Sequence, residues 1–146
     1  MALTFTADIE AAFRQFWLPV VASARLAPPT PKPLRVLLLR EDLMAFRDGA
    51  GRLGLIDALC SHAGALMTWG DVETEGVTCP QHGWLFDVRG RCLTLSGATD
   101  RARLSAYDMK AYPIAEAGGL LWAWLGVGDP APPTLPWSGL PEAHVA

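Results

Sequence analysis

From residue 7 to residue 17 the apolar side chains Ile9, Phe13, Phe16 and Trp17 recur at three- and four-residue steps, the period of one helix face. Asp8 and Glu10 fall early, where the positive end of a helix dipole favours them. The pattern predicts a helix over 7–17, ended or bent at Pro19. The apolar stretch 17–24 closes on Ala22-Ser23-Ala24, a loose likeness to a secretory cleavage site. Acidic residues precede it and no basic n-region exists, so it reads as a helix end entering the fold. Pro28-Pro29, Pro31 and Pro33 then predict an extended linker.

Beyond Pro33 the period changes. Apolar runs at 34–39 and 43–47, a turn at Asp48-Gly49-Ala50-Gly51 and a run at 53–58 read as consecutive strands. Short strands follow at 76–79, at 84–87 paired across Val88-Arg89-Gly90 with 91–95, and at 111–116 paired across Ala117-Gly118-Gly119 with 120–125. Residues 96–110 are polar and irregular and read as a surface loop. No internal repeat is visible apart from two cysteine- and histidine-bearing loops. The pattern predicts a mostly β chain, an antiparallel sandwich or small barrel, with a short N-terminal helix and a Pro-rich C-terminal tail. The corresponding division is 1–33 as helix and lead-in, 34–126 as the folded unit and 127–146 as exit linker.

A chain of 146 residues fits one domain. Its net charge of −3, without a basic stripe, argues against nucleic acid as a partner. No segment approaches the roughly 20 apolar residues needed to cross a membrane. Gly118-Gly119 has no strand-then-helix context and is a turn, not a phosphate cradle.

The chemistry concentrates in Cys60-Ser61-His62 and Cys79-Pro80-Gln81-His82. Two thiols and two imidazoles suit either a tetrahedral zinc or an iron–sulfur cluster with histidine on one iron. Structural zinc sites usually group cysteine with cysteine and histidine with histidine. Here each half carries one of each, so each loop can give a thiolate to one metal and an imidazole to another, as a dinuclear centre requires. Of three cysteines only Cys92 is then uncommitted, so no disulfide is available within the chain. Ligands that must stay reduced suit a cytoplasmic protein, and Cys92 is expected to pack as a small apolar residue beside the second loop. Gly64, Gly83 and Pro80 allow a tight backbone whose amides can face the sulfurs.

Leu59-Cys60-Ser61-His62-Ala63-Gly64 with Cys79-Pro80-Gln81-His82-Gly83-Trp84 resembles the Rieske [2Fe–2S] signature. Phe16-Trp17-Leu18-Pro19-Val20, Phe86-Asp87, Arg89-Gly90-Arg91-Cys92-Leu93, Tyr112-Pro113 and the run Gly119 to Gly126 extend the resemblance. Together they are similar to the N-terminal Rieske domain of aromatic-ring oxygenase α subunits, nearest the phthalate-dioxygenase and O-demethylase type. The resemblance implies Cys60, His62, Cys79 and His82 as cluster ligands, and Gly64, Gly83 and Trp84 around them. His82 would be the electron exit, with Trp84 shielding the cluster. It also implies a reductase or ferredoxin donor and, as acceptor, an oxygenase catalytic domain or neighbouring subunit. A stand-alone Rieske ferredoxin and a zinc-stabilised structural domain are the competing expectations.

Departures from related patterns sharpen the expectation. High-potential Rieske proteins carry two extra cysteines and two hydroxyl donors, where this chain has Ala65, Gln81, Trp84 and Phe86. Without those donors the potential is expected towards the negative end of the roughly −150 to +300 mV range of histidine-ligated centres. Ala63 and Gln81 replace the Arg and Tyr usual in the oxygenases, beside the imidazoles. The non-haem iron of such oxygenases needs two histidines and a carboxylate. Three histidines in all leave only His144 outside the two loops, so the chain reads as an electron-delivering half.

Overall fold

The computed structural model describes residues 2–28, 32–95 and 100–136. In chain order the elements are α1 (Ala2–Phe13), β1 (Trp17–Ala22), β2 (Leu34–Leu38), β3 (Glu41–Arg47), β4 (Leu53–Asp57), β5 (Asp71–Glu73), β6 (Gly76–Thr78), β7 (Leu85–Phe86), β8 (Cys92–Thr94), α2 (Arg101–Leu104), β9 (Ile114–Ala117) and β10 (Leu120–Trp124). They form three antiparallel sheets, ordered β1-β10-β9, β2-β3-β4 and β5-β6-β7-β8.

The middle sheet decides the architecture. In β3, Leu43 and Ala45 point into one core with Leu26, Leu55, Leu121 and Ala123, while Met44 and Phe46 point into another with Ile56, Phe86 and Cys92. Successive strand residues face opposite sides, so a run buried on both faces loses its polar alternation. That is why 43–46 is continuously apolar. The second core also holds Cys60, Cys79 and Trp84, which seats the cysteine loops on the interior of the molecule.

Two predicted elements are different in kind. The helix ends at Phe13, and Trp17–Ala22 is a strand pairing with β10, Trp17 opposite Trp124. Val20 and Val21 are β-branched and favour the strand, and Pro19 cannot donate within a helix. An edge strand tolerates that proline, and the register shifts between Pro19 and Val21. Asp8 and Glu10 therefore lie in the body of α1; Glu10 pairs with Arg40 at 2.9 Å instead of serving the helix dipole.

Within 96–110, residues 96–99 lie outside the described residues, as do Pro29 and Pro31 of the predicted linker and His144 of the tail. The remainder is mostly exposed, as expected, but it is not irregular throughout. Asp100 accepts from the amide of Ala102 and caps α2, a turn at Ser105–Tyr107 follows, and Leu104 and Met109 are buried. Polar side chains on the outer face hid the two core contacts. Described residues 127–136 carry no regular secondary structure, and the Trp17 indole donates to the Ala131 carbonyl at 2.9 Å.

An internal repeat also emerges, contrary to the sequence reading. In Asp48–Arg52 the arginine amide and Nε donate to the two oxygens of the aspartate, both at 2.8 Å. In Asp87–Arg91 the same two bonds recur at 2.9 and 2.8 Å. Each turn places a glycine at positive φ, Gly51 at 86° and Gly90 at 75°. The common sequence is Asp-x-x-Gly-Arg.

Candidate metal centre

The two predicted loops are built alike. The Cys60 amide donates to Ala65 O and Gly64 N donates back to Cys60 O, both at 2.8 Å. Cys79 N donates to Trp84 O at 2.8 Å and Gly83 N to Cys79 O at 3.0 Å. Gly64 and Gly83 occupy the same place with φ of 73° and 70°. A Cβ at either would meet nothing within 4 Å, so the glycines serve the left-handed dihedral and not close approach. A bridge between Leu59 and Leu66 closes the base of the first loop. Val77 opposite Phe86 and Thr78 opposite Leu85 close the second.

These loops set the four predicted donors in two pairs, sorted by element. Cys60 and Cys79 are 4% and 3% exposed, and the Cys79 thiol is near enough to help raise the Cys60 pKa. His62 and His82 are exposed, their rings edge-on with centroids 4.7 Å apart. Sulfur lies inward and nitrogen outward. Among the described residues no group of three or more His, Cys, Asp or Glu side chains is placed to hold a metal ion. Four donors divided two and two fit a dinuclear cluster, in which each iron takes two protein ligands. They fit a single tetrahedral zinc poorly.

Burial pushes the Cys60 thiol above its usual pKa, against amides of His62 and Ala63 that donate to its sulfur. A thiolate in that position is favoured only opposite a positive charge, which a bound metal supplies. Cys92 is fully buried in the same core and free of any disulfide, as expected. Its amide donates to Asp108 and its thiol to Thr94 O, so it packs without joining the four donors.

Trp84 is 8% exposed and lies over His62, not beside His82 as the sequence order suggests. The indole and imidazole stack with centroids 3.9 Å apart at 17°. Tyr107, in the segment read as loop, meets Trp84 edge-on at 4.8 Å and His62 at 6.5 Å. The Ser61 hydroxyl donates to the Tyr107 carbonyl. Neither Ser61 nor Tyr107 was singled out by sequence; a lone tyrosine in a polar stretch was the available signal.

Residues 16–113 match the family model described as Rieske [2Fe-2S] domain. The chain is 33% identical over 135 residues to the 3-chlorobenzoate-3,4-dioxygenase oxygenase subunit of Comamonas testosteroni, covering 90% of this chain and 31% of that one. It is 40% identical over 120 residues to the phenoxybenzoate dioxygenase subunit alpha of Ectopseudomonas oleovorans, covering 82% and 29%. Among solved structures, NdmA of Pseudomonas putida CBB5 with caffeine superposes with a TM-score of 0.70 at 28% identity, covering 80% of this chain and 35% of NdmA. The chain thus spans about a third of the length of the curated relatives it matches.

Proposed function

Because the chain belongs to the Rieske [2Fe-2S] domain family, we propose that it delivers single electrons to the non-haem iron of an oxygenase acting on aromatic compounds. Cys60 and Cys79 would hold the inner iron, and His62 and His82 the outer one. A [2Fe–2S] cluster bound there accepts and releases one electron at a time. The observation that carries the reading is the segregation of buried thiols from exposed imidazoles.

The surrounding residues then have definite tasks. The buried core keeps water from the sulfurs, while amides of His62 and Ala63 steady the charge on Cys60. The exposed imidazoles offer the short path to a partner, and His82, which carries no stacked ring among the described residues, is the exit. The donor would be a reductase or ferredoxin; the acceptor, a catalytic domain or neighbouring subunit. The folded unit proposed to carry the cluster is 34–126, with 127–146 leading out and 1–33 leading in and contributing the edge strand β1 and the core residue Leu26.

The local chemistry also supports a low potential. Trp84 and Phe86 supply no hydroxyl, and the Ser61 hydroxyl is engaged by Tyr107 O. Few donors then steady the added negative charge. A redox titration is expected to place the midpoint near the negative end of the roughly −150 to +300 mV range; a value well above zero overturns this. Anaerobically purified protein should contain iron and acid-labile sulfide in equal amounts. His62→Ala or His82→Ala should abolish its visible absorption, whereas zinc without sulfide refutes the function.

A further inference from the structure

The two imidazoles are held unequally. His62 is stacked on Trp84 at 3.9 Å and meets Tyr107 edge-on, whereas the ring contact of His82 among the described residues is with His62 alone. Tyr107 in turn sits 4.8 Å from Trp84 at 78°, so its edge backs the indole that covers His62. Its carbonyl accepts from Ser61, the residue between the two donors of the first loop.

The support behind Tyr107 is stiff. Leu104 and Met109, on either side, are anchored in the core. Arg101 donates to the Cys92 carbonyl and pairs with Asp108 at 2.6 Å, and Asp108 accepts from the Cys92 amide at 2.8 Å. Met109 N donates to Gly90 O at 2.7 Å. The segment is thereby fastened to β8 and to the second aspartate turn, independently of the ligand loops.

We propose that Tyr107 is a positioning residue for the outer iron: through Trp84 and Ser61 it fixes the plane of the His62 imidazole and keeps water from one of its faces. This rests on His62 being a cluster ligand. A fixed ring plane sets the overlap of imidazole and metal orbitals, hence the spectrum. A dry face withholds the hydration that would steady added negative charge, hence the potential is lower.

The test compares dithionite-reduced EPR spectra and midpoint potentials of the cluster-loaded protein with Tyr107→Leu, Tyr107→Phe and Ser61→Ala. Tyr107→Leu keeps apolar bulk without the ring; it should shift and broaden the EPR signal and raise the potential. Tyr107→Phe keeps the ring contacts and should match the parent in both. Ser61→Ala cuts the tether and should move both in the direction of Tyr107→Leu, by less; it decides the matter if the leucine variant fails to take up cluster. A merely structural tyrosine would lower thermal stability and leave g values and potential in place. That result, with the cluster intact, overturns the role of Tyr107 while leaving the proposed function standing. A parent protein without sulfide or visible absorption removes both.

Discussion

At the scale of single residues, glycines in near-identical turns carry unequal burdens. Gly51 and Gly90 fill the same place in the two aspartate turns, both with positive φ. A Cβ on Gly51 meets nothing within 4 Å, but one on Gly90 falls 2.3 Å from Met109 O. Gly51→Ala should therefore cost only the left-handed strain of about 1–2 kcal/mol. Gly90→Ala should cost clearly more, because that backbone carbonyl must also move, and chemical denaturation of the two variants measures the difference. Gly64→Ala and Gly83→Ala should each resemble Gly51→Ala in stability, with cluster content read from visible absorption. The four proposed donors stand out in the sequence because their spacing is chemical. Tyr107 was not, since its importance lies in a contact across 45 residues of chain with His62, which spacing does not reveal.

At the scale of elements, the aspartate turns fix the hairpins on which the centre rests. The Asp48 side chain is fully buried and Asp87 is 7% exposed, each accepting from an arginine amide and guanidinium. Replacing either by Ala removes the hydrogen bonds that a buried carboxylate accepts within its turn, and a loss of about 1–3 kcal/mol is expected on thermal or denaturant unfolding. Asp87→Ala should also lower cluster retention, because β7 and β8 lie directly beyond the second loop; Asp48→Ala should not. Strands with turn glycines were readable from sequence. The β2–β3 turn was not placed, because Leu39 and Arg40 adopt positive φ of 44° and 64° without glycine, asparagine or aspartate. β1 is hidden in the sequence because Phe13, Phe16 and Trp17 mimic a helical face, while pairing with β10, about a hundred residues later, decides the outcome. The three-residue β5 escaped notice for want of length.

At the scale of the whole molecule, one carboxylate joins distant segments. Glu41 at the start of β3 accepts from Arg14, just past α1, at 2.8 Å and from Lys110 at 3.0 Å. Arg14 also reaches Leu125 O, and Lys110 lies over the Tyr112 ring. Burial acts to raise the Glu41 pKa, but hydrogen bonds from Arg14 and Lys110 outweigh it and bring it to about 2. A depressed carboxylate contributes stability above its unfolded pKa, near 4.5, and loses it as pH falls towards 2. Parent and Glu41→Gln should therefore differ in stability at neutral pH and converge between about pH 4.5 and 2, as denaturation at each pH would show. A gap that persists at pH 2 contradicts the account. No helix among the described residues is long and apolar enough to cross a membrane.

The two cysteine loops are tied by main-chain atoms, amide to carbonyl, in matching patterns. Exposed Ala63 and Gln81 sit on those loops without contributing side-chain atoms to the ties. On the proposed function, their identities can change with the redox partner without disturbing the main-chain frame of the loops. Partner choice and cofactor retention would then be separately evolvable, and a library randomised at these two positions should alter partner preference without bleaching the protein.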